Sequence, residues 1–248
     1  MNRGRLVAAL ATALLVVAGL GYALSQTVLA PQPLVLAEPR YVEAPSPDTR
    51  LEPQPGDEPS APTRVDPAWV RVNAAKAGIP APALRAYANA QLRKPRGCDL
   101  GWTTLAGIGW VESEHGTIGG RTLTDDGHSS TLVLGPALDG TDFAAIRATP
   151  ESTAWHGDPT WDHAVGPMQF IPSTWETWGA DGDGDGAADP NDIDDAAATA
   201  VRYLCADGHD LTSGAGWADA VFSYNHDQSY IDSVYSAATA YAERTAKG

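Results

Sequence analysis

The placement of proline decides where this chain can fold. Ten of its 19 prolines fall between Pro31 and Pro67, in a stretch with almost no periodic apolar pattern. Such a segment cannot bury enough surface to offset its conformational entropy. It reads as an extended, polyproline-like tether with a reach of at most about 115 Å at ~3.1 Å per residue. The tether separates an N-terminal segment, 1–30, and itself, 31–65, from a folded domain, 66–248. In the first of these, Leu6 to Leu24 carry no charge and follow Arg3 and Arg5. That run is long enough to cross a bilayer as a helix. The arginines before it place the N-terminus in the cytoplasm and the rest outside. The run exceeds the usual apolar core of a signal peptide, so an uncleaved membrane anchor is expected. Cleavage at a small-residue site near Ala30 would instead give a secreted form.

Composition narrows the partners. The formal charge is −15 and the pI about 4.6. A nucleic acid or an anionic lipid surface calls for a basic face, so neither is expected as a ligand. An uncharged polymer such as a glycan stays open. The two cysteines, Cys98 and Cys205, are expected to form one disulfide in an exported chain. Two buried thiols are the alternative.

The folded part reads as a series of helices. Asp66 and Pro67 suit an N-cap and first helical position. Trp69, Val72 and Lys76 line up behind them, and Ile79-Pro80-Ala81-Pro82 ends the helix. A second helix runs from about Pro82 to Leu92, with Leu84, Tyr87, Ala88 and Gln91 on one face. A third spans Cys98 to Gly116, with Asp99 as its N-cap and Gly116 as its stop. On it Leu105, Ile108 and Glu112 fall at i, i+3 and i+7, on one face. A glutamic acid on a buried face resists ionisation, so its pKa rises. A carboxyl group that keeps its proton near neutrality can protonate a leaving oxygen. Glu114, about 200° further round, faces solvent.

Regularity is lost from Gly119 to Trp161, where Pro136 to Gly140 reads as a turn. A loop this long in a small domain is expected to be functional, here as one wall of a cleft. Next comes Ala164 to Trp175, AVGPMQFIPSTW, with Pro172 opening a helix behind Ile171. Gln169 is a lone amide among Met168, Phe170 and Ile171. It can recognise sugar hydroxyls or N-acetyl groups, or it can tie down loop backbone. A helix starting at Asp189-Pro190 has Ile193, Ala197, Ala200, Val201 and Leu204 as its stripe. Another runs from Trp217 to Tyr224-Asn225, and the last carries Ile231, Val234, Tyr235, Ala238 and Tyr241. Tyr224 and Asn225 could bond a sugar, or could fill core and turn.

Residues Asp181 to Asp192, DGDGDGAADPND, carry a metal signal. Carboxylates stand at positions 1, 3 and 5, Gly186 at 6, the Ala187 carbonyl at 7, Asp189 at 9 and Asp192 at 12. This is EF-hand loop spacing with hard oxygen donors, which favours Ca2+. An Asp in place of Glu at position 12 is a shorter arm. Seven aspartates lie between Asp181 and Asp195 and would repel one another without a cation.

Together these pieces resemble the lytic transglycosylases of bacterial cell walls, in particular the membrane-bound B-type family in its actinobacterial form. The resemblance rests on VES around Glu112, AVGPMQFIPSTW, DGDGDG followed by DPND, RYL at Arg202 to Leu204, and YN at Tyr224-Asn225. It covers about Asp66 to Ala242. It implies a mainly all-α, lysozyme-like domain with a calcium loop, acting on peptidoglycan glycan strands. Glu112 would be the single acid/base, cleaving the bond between N-acetylmuramic acid and N-acetylglucosamine and leaving a 1,6-anhydro ring. Ser113, Met168, Gln169, Tyr224 and Asn225 fall at substrate-lining positions. Asp181, Asp183, Asp185, Ala187 and Asp192 match the calcium loop, with the ion in a structural role. Two alternatives remain. One is a hydrolytic muramidase, for which Glu114 or Asp162 would have to supply a second carboxylate. The other is a non-catalytic peptidoglycan-binding module.

Overall fold

The computed structural model describes residues 46–49, 63–141 and 144–246. The apolar run Leu6–Leu24 and most of the proline-rich stretch lie outside the described residues. Among the described residues no helix is long and apolar enough to cross a membrane. The described part of the linker joins the domain. Thr49 bridges Val65, and the Asp66 amide donates to the Asp48 carbonyl at 2.8 Å.

The architecture is mainly helical. In chain order it comprises α1 (Pro67–Ala77), α2 (Ala81–Leu92), α3 (Trp102–Ser113), β1 (Leu134–Ala137), α4 (Pro150–His156), β2 (His163–Val165), α5 (Pro172–Trp178), α6 (Ile193–Leu204), α7 (Gly214–Tyr224) and α8 (Gln228–Ala246). The strands pair antiparallel, with Leu134 opposite Val165 and Ala137 opposite His163.

Helix α3 is the axis. Its residues from Trp102 to Gly109 are all buried, so its first two turns have no solvent face. A helix apolar all round belongs at the centre of a domain. Its glycines explain how neighbours come so close. A Cβ on Gly107 would stand 2.7 Å from the Val234 carbonyl of α8, and one on Gly109 would overlap the Tyr87 hydroxyl of α2. Both positions have weak helix propensity, and tertiary contact overrides it. The first-turn amide of Trp102 donates to Gln91 Oε1 at 2.7 Å, so α2 caps α3 from the side. Trp217 Nε1 on α7 donates to Thr104 Oγ1 at 3.0 Å.

Several boundaries differ from the sequence reading. Asp66 does cap α1, accepting from the Ala68 amide. Val72 is 51% exposed, because the buried face of α1 runs through Trp69, Val70, Asn73 and Ala74. Gly101 rather than Asp99 caps α3, and the helix ends at Ser113 with Glu114 in the left-handed conformation. The expected 119–161 loop contains β1 and α4. Helix α4 is opened by a capping box between Thr149 and Ser152, with Pro150 at its start. The Asp189-Pro190 start is a turn, and α6 begins at Ile193 with Asp192 as N-cap.

Cys98 and Cys205 form a disulfide that joins the segment before α3 to the C-cap of α6. It closes a loop with a sequence separation of 107. In the chain-entropy model a loop of that size stabilises the fold by about 4–5 kcal/mol, and measured losses run from about 2 to 5. Replacing both cysteines by serine should therefore lower the unfolding free energy by about 2–5 kcal/mol in denaturant titrations, with the helical signal retained in water.

Candidate active site

Glu112 lies one residue before the end of α3, and α8 begins beside it. The Tyr230 hydroxyl in the first turn of α8 donates to Glu112 Oε1 at 2.6 Å. Burial raises the Glu112 pKa to about 7, and the Tyr230 hydrogen bond opposes the rise without cancelling it. The Tyr230 phenol is itself pushed far above its usual range by burial and by the neighbouring carboxyl, so it only donates. Tyr224, at the end of α7, stacks on Tyr230 with ring centres 6.4 Å apart and planes within 6°. Its hydroxyl donates to the Met168 carbonyl at 2.8 Å.

A pocket of about 320 Å³ opens beside this pair. It is lined by Gln169, Phe170, Ile171, Thr174, Tyr203, Ser223, Tyr224 and His226. Phe170 makes edge contacts with both Tyr224 and Trp175. Aromatic faces with hydroxyl and amide edges suit a sugar ring, which is apolar on its faces and polar at its rim. A larger groove of about 1160 Å³ runs along α1 and the turn into α2, past Arg71, Ile79 and Arg85. It shares no lining residue with the pocket; Glu112 lines neither of them and is joined to the pocket wall through Tyr230, which stacks on Tyr224.

The other expected substrate-lining residues take different parts. Ser113 is fully buried. Its hydroxyl donates to the Pro167 carbonyl and accepts from the Gly116 amide, tying the end of α3 to the 166–170 loop. Met168 is also fully buried, and its carbonyl accepts from the Tyr224 hydroxyl. Gln169 sits in the left-handed region at φ 51°, and its Nε2 donates to the carbonyls of Gly166 at 2.8 Å and Val133 at 3.2 Å. The amide thus holds the loop while the residue lines the pocket. Asn225 caps α7 and is exposed. Of the two acids considered as a second carboxylate, Glu114 is exposed at the helix end. Asp162 is buried, accepting from Ser152 Oγ at 2.6 Å and facing His156 Nε2 at 3.3 Å. Tyr230 is the site residue that sequence reasoning missed. It lies four residues before Val234 and eleven before Tyr241, on the apolar stripe already drawn for the last helix.

The acidic loop is ordered by its own side chains. Asp181 accepts from the amides of Gly184 and Gly186, Asp183 from Asp185, and Asp185 from Ala187. Asp192 does not close the loop. Its carboxylate accepts from the Asp194 amide as the α6 N-cap, and the His128 ring lies 3.6 Å away. Asp195, fifteenth from Asp181, takes the closing position. It accepts from the amides of Gly182 at 2.6 Å and Asp189 at 2.8 Å. Oxygens of Asp181, Asp183 and Asp195 lie within 4.8 Å of one another. Three carboxylates so close fit a hard divalent cation, and Arg64 Nη2, which reaches the loop, donates to the Asp183 backbone carbonyl at 3.0 Å.

The raised Glu112 pKa has a signed effect on stability. Between pH 4.5 and about 7 the folded state keeps a proton that the unfolded state releases. Stability therefore falls as pH rises through that window and is level above it. Glu112→Gln removes the titration and keeps an acceptor for Tyr230. The variant should match wild type near pH 4 and exceed it at pH 8, by on the order of 3 kcal/mol if the whole shift is expressed. Paired thermal melts at the two pH values measure this.

No curated protein and no solved structure matches the chain. Residues 151–233, from α4 into α8, match the family model described as Transglycosylase SLT domain, which supports a lytic transglycosylase family and a lysozyme-like fold for this mainly helical chain.

Proposed function

We propose that the protein is a lytic transglycosylase that cleaves the β-1,4 bond between N-acetylmuramic acid and N-acetylglucosamine in peptidoglycan. One observation carries the reading. Glu112 is a carboxyl group with its pKa near neutrality, held by Tyr230, whose ring stacks on the pocket residue Tyr224, while Glu114 faces solvent at the helix end and Asp162 is engaged by Ser152 and His156. Inverting and most retaining glycosidases use two carboxylates across the scissile bond. A single acid/base suits a substrate that supplies its own nucleophile.

Protonated Glu112 gives its proton to the glycosidic oxygen as the bond from that oxygen to C1 of the muramic residue breaks. The resulting carboxylate takes the proton from the muramic 6-hydroxyl, whose oxygen bonds to C1. The products are a free 4-hydroxyl and a 1,6-anhydro sugar, and no water is consumed. Tyr230 engages Oε1, leaving Oε2 for the substrate.

The acidic loop is proposed to hold Ca2+ through Asp181, Asp183 and Asp195, with Asp185 and the Ala187 carbonyl completing the shell. The ion would offset part of the loop's negative charge and fix the loop against α6. The domain is proposed to work outside the cytoplasm, anchored to the membrane by residues 6–24, or secreted if that segment is cleaved.

Three experiments test these proposals. Purified peptidoglycan digested with wild-type protein should release products ending in 1,6-anhydro-muramic acid by mass spectrometry, and Glu112→Gln should release none. Reducing ends would favour the muramidase, and wall binding without soluble products the binding module. The rate should fall above about pH 7 as Glu112 loses its proton. Tyr230→Phe removes the group that favours the carboxylate, so this limb should move to higher pH. Added Ca2+ should raise the melting temperature of wild type and of Asp192→Asn but not of Asp195→Asn. An equal response in all three would reject Asp195 as a ligand.

A further inference from the structure

Behind Glu112 the chain turns through three successive residues with positive φ: Glu114 at 53°, His115 at 62° and Gly116 at 82°. Only the last is glycine, and side-chain-bearing residues seldom hold this conformation twice in a row. The His115 amide closes the turn by donating to the Gly109 carbonyl at 2.8 Å. Contacts from other elements must keep it in place.

The His115 ring supplies them. It is 1% exposed, and both of its nitrogens are engaged. Nδ1 lies 3.1 Å from the Tyr87 hydroxyl on α2, and Nε2 lies 3.0 Å from the Tyr241 hydroxyl on α8. Burial lowers the imidazole pKa to about 3, so the ring is neutral. A neutral ring has one N–H and one lone pair, so one tyrosine accepts from it and the other donates to it. The Tyr87 hydroxyl also presses on α3 where a Cβ of Gly109 would stand. Tyr241 and Tyr230 are eleven residues apart, which places them on one face of α8. The end of α3 is therefore fastened to α8 at two points, through Glu112 to Tyr230 and through His115 to Tyr241.

We infer that His115 is a positioning residue for the acid/base. By clamping the left-handed turn to α2 and α8, it fixes the Glu112 carboxyl against Tyr230 and toward the substrate. This rests on the reading of Glu112 as the acid/base. His115 itself touches neither substrate nor Glu112 in the proposed step.

The test compares full-length wild type with His115→Phe, which keeps a ring and loses both hydrogen bonds, and with the double variant Tyr87→Phe/Tyr241→Phe, which keeps the imidazole and loses its partners. Two quantities are read on protein shown to be folded by circular dichroism. One is kcat and KM on soluble glycan strands; the other is the Glu112 titration midpoint from the 13C carboxyl signal. A misplacement of the acid by an ångström costs about 10- to 100-fold in rate. Both variants should therefore lose about 10- to 100-fold in kcat, with KM within about twofold. Each should also move the Glu112 midpoint by about half a unit or more. Folded variants with wild-type kcat and an unmoved midpoint would overturn the inference and leave His115 a packing residue. If His115→Phe does not fold, the double variant decides by the same two readouts. A wild type that releases no product, alongside variants that still shift the midpoint, would reject the proposed reaction and retain the positioning role.

Discussion

The close packing of α3 against α8 is the constraint on which the candidate site depends. It brings Tyr230 to Glu112, 118 residues away in the chain, and so makes their hydrogen bond possible. That closeness needs glycine at 107, where a side chain would meet the backbone of α8. It also needs α3 to be buried along its first two turns, which the Trp102, Leu105 and Ile108 side chains provide. The carboxyl group thus emerges at the end of a helix that has no freedom to move aside. Burial raises its pKa, and one phenol keeps the ionised form accessible. A buried glutamic acid without that donor would be a neutral group of little use as a base.

The remaining elements frame this contact. The 166–170 loop carries the pocket wall and is held by Ser113, Gln169 and Tyr224, each bonded to loop backbone. Helix α6 is fixed at one end by the Cys98–Cys205 disulfide and at the other by the acidic loop folded over its first turn. Asp195 therefore belongs both to α6 and to the loop, and a cation there would tie them together. Arg85 on α2 adds an ion pair to the neighbouring Asp194 at 2.8 Å, fastening α2 to the same turn.

Much of this was legible in the sequence, and the parts that were not share a cause. Glu112 could be found because its face of α3 is defined by residues three and seven positions away. The helical stripes around Ile193 and Ile231 were legible for the same reason. Tyr230 sat on a recognisable stripe, yet no local pattern reveals that its hydroxyl meets an acid on another helix. Counting to twelve points to Asp192 as the end of the acidic loop; the capping requirement of α6 claims its carboxylate, and Asp195, three residues later, accepts from a loop amide. Gln169 stands out in the sequence as a lone amide, but whether its hydrogen bonds go to backbone or ligand depends on carbonyls 3 and 36 residues away. Helix α4 has seven residues, too few for a periodicity, and it is marked only at its ends, by the Thr149–Ser152 capping box with Pro150 and by Gly157.

The central claim is that the fold lifts the Glu112 carboxyl to a pKa near 7, so that about half of it keeps its proton at neutral pH. Its most direct test is the ionisation of Glu112 in the wild-type protein, followed through the 13C carboxyl signal from pH 3 to pH 9 and assigned with Glu112→Gln. A midpoint near 7 is predicted. A midpoint near the ordinary value of 4.5 would contradict the account, because Glu112 would then be an exposed carboxylate with no proton to give.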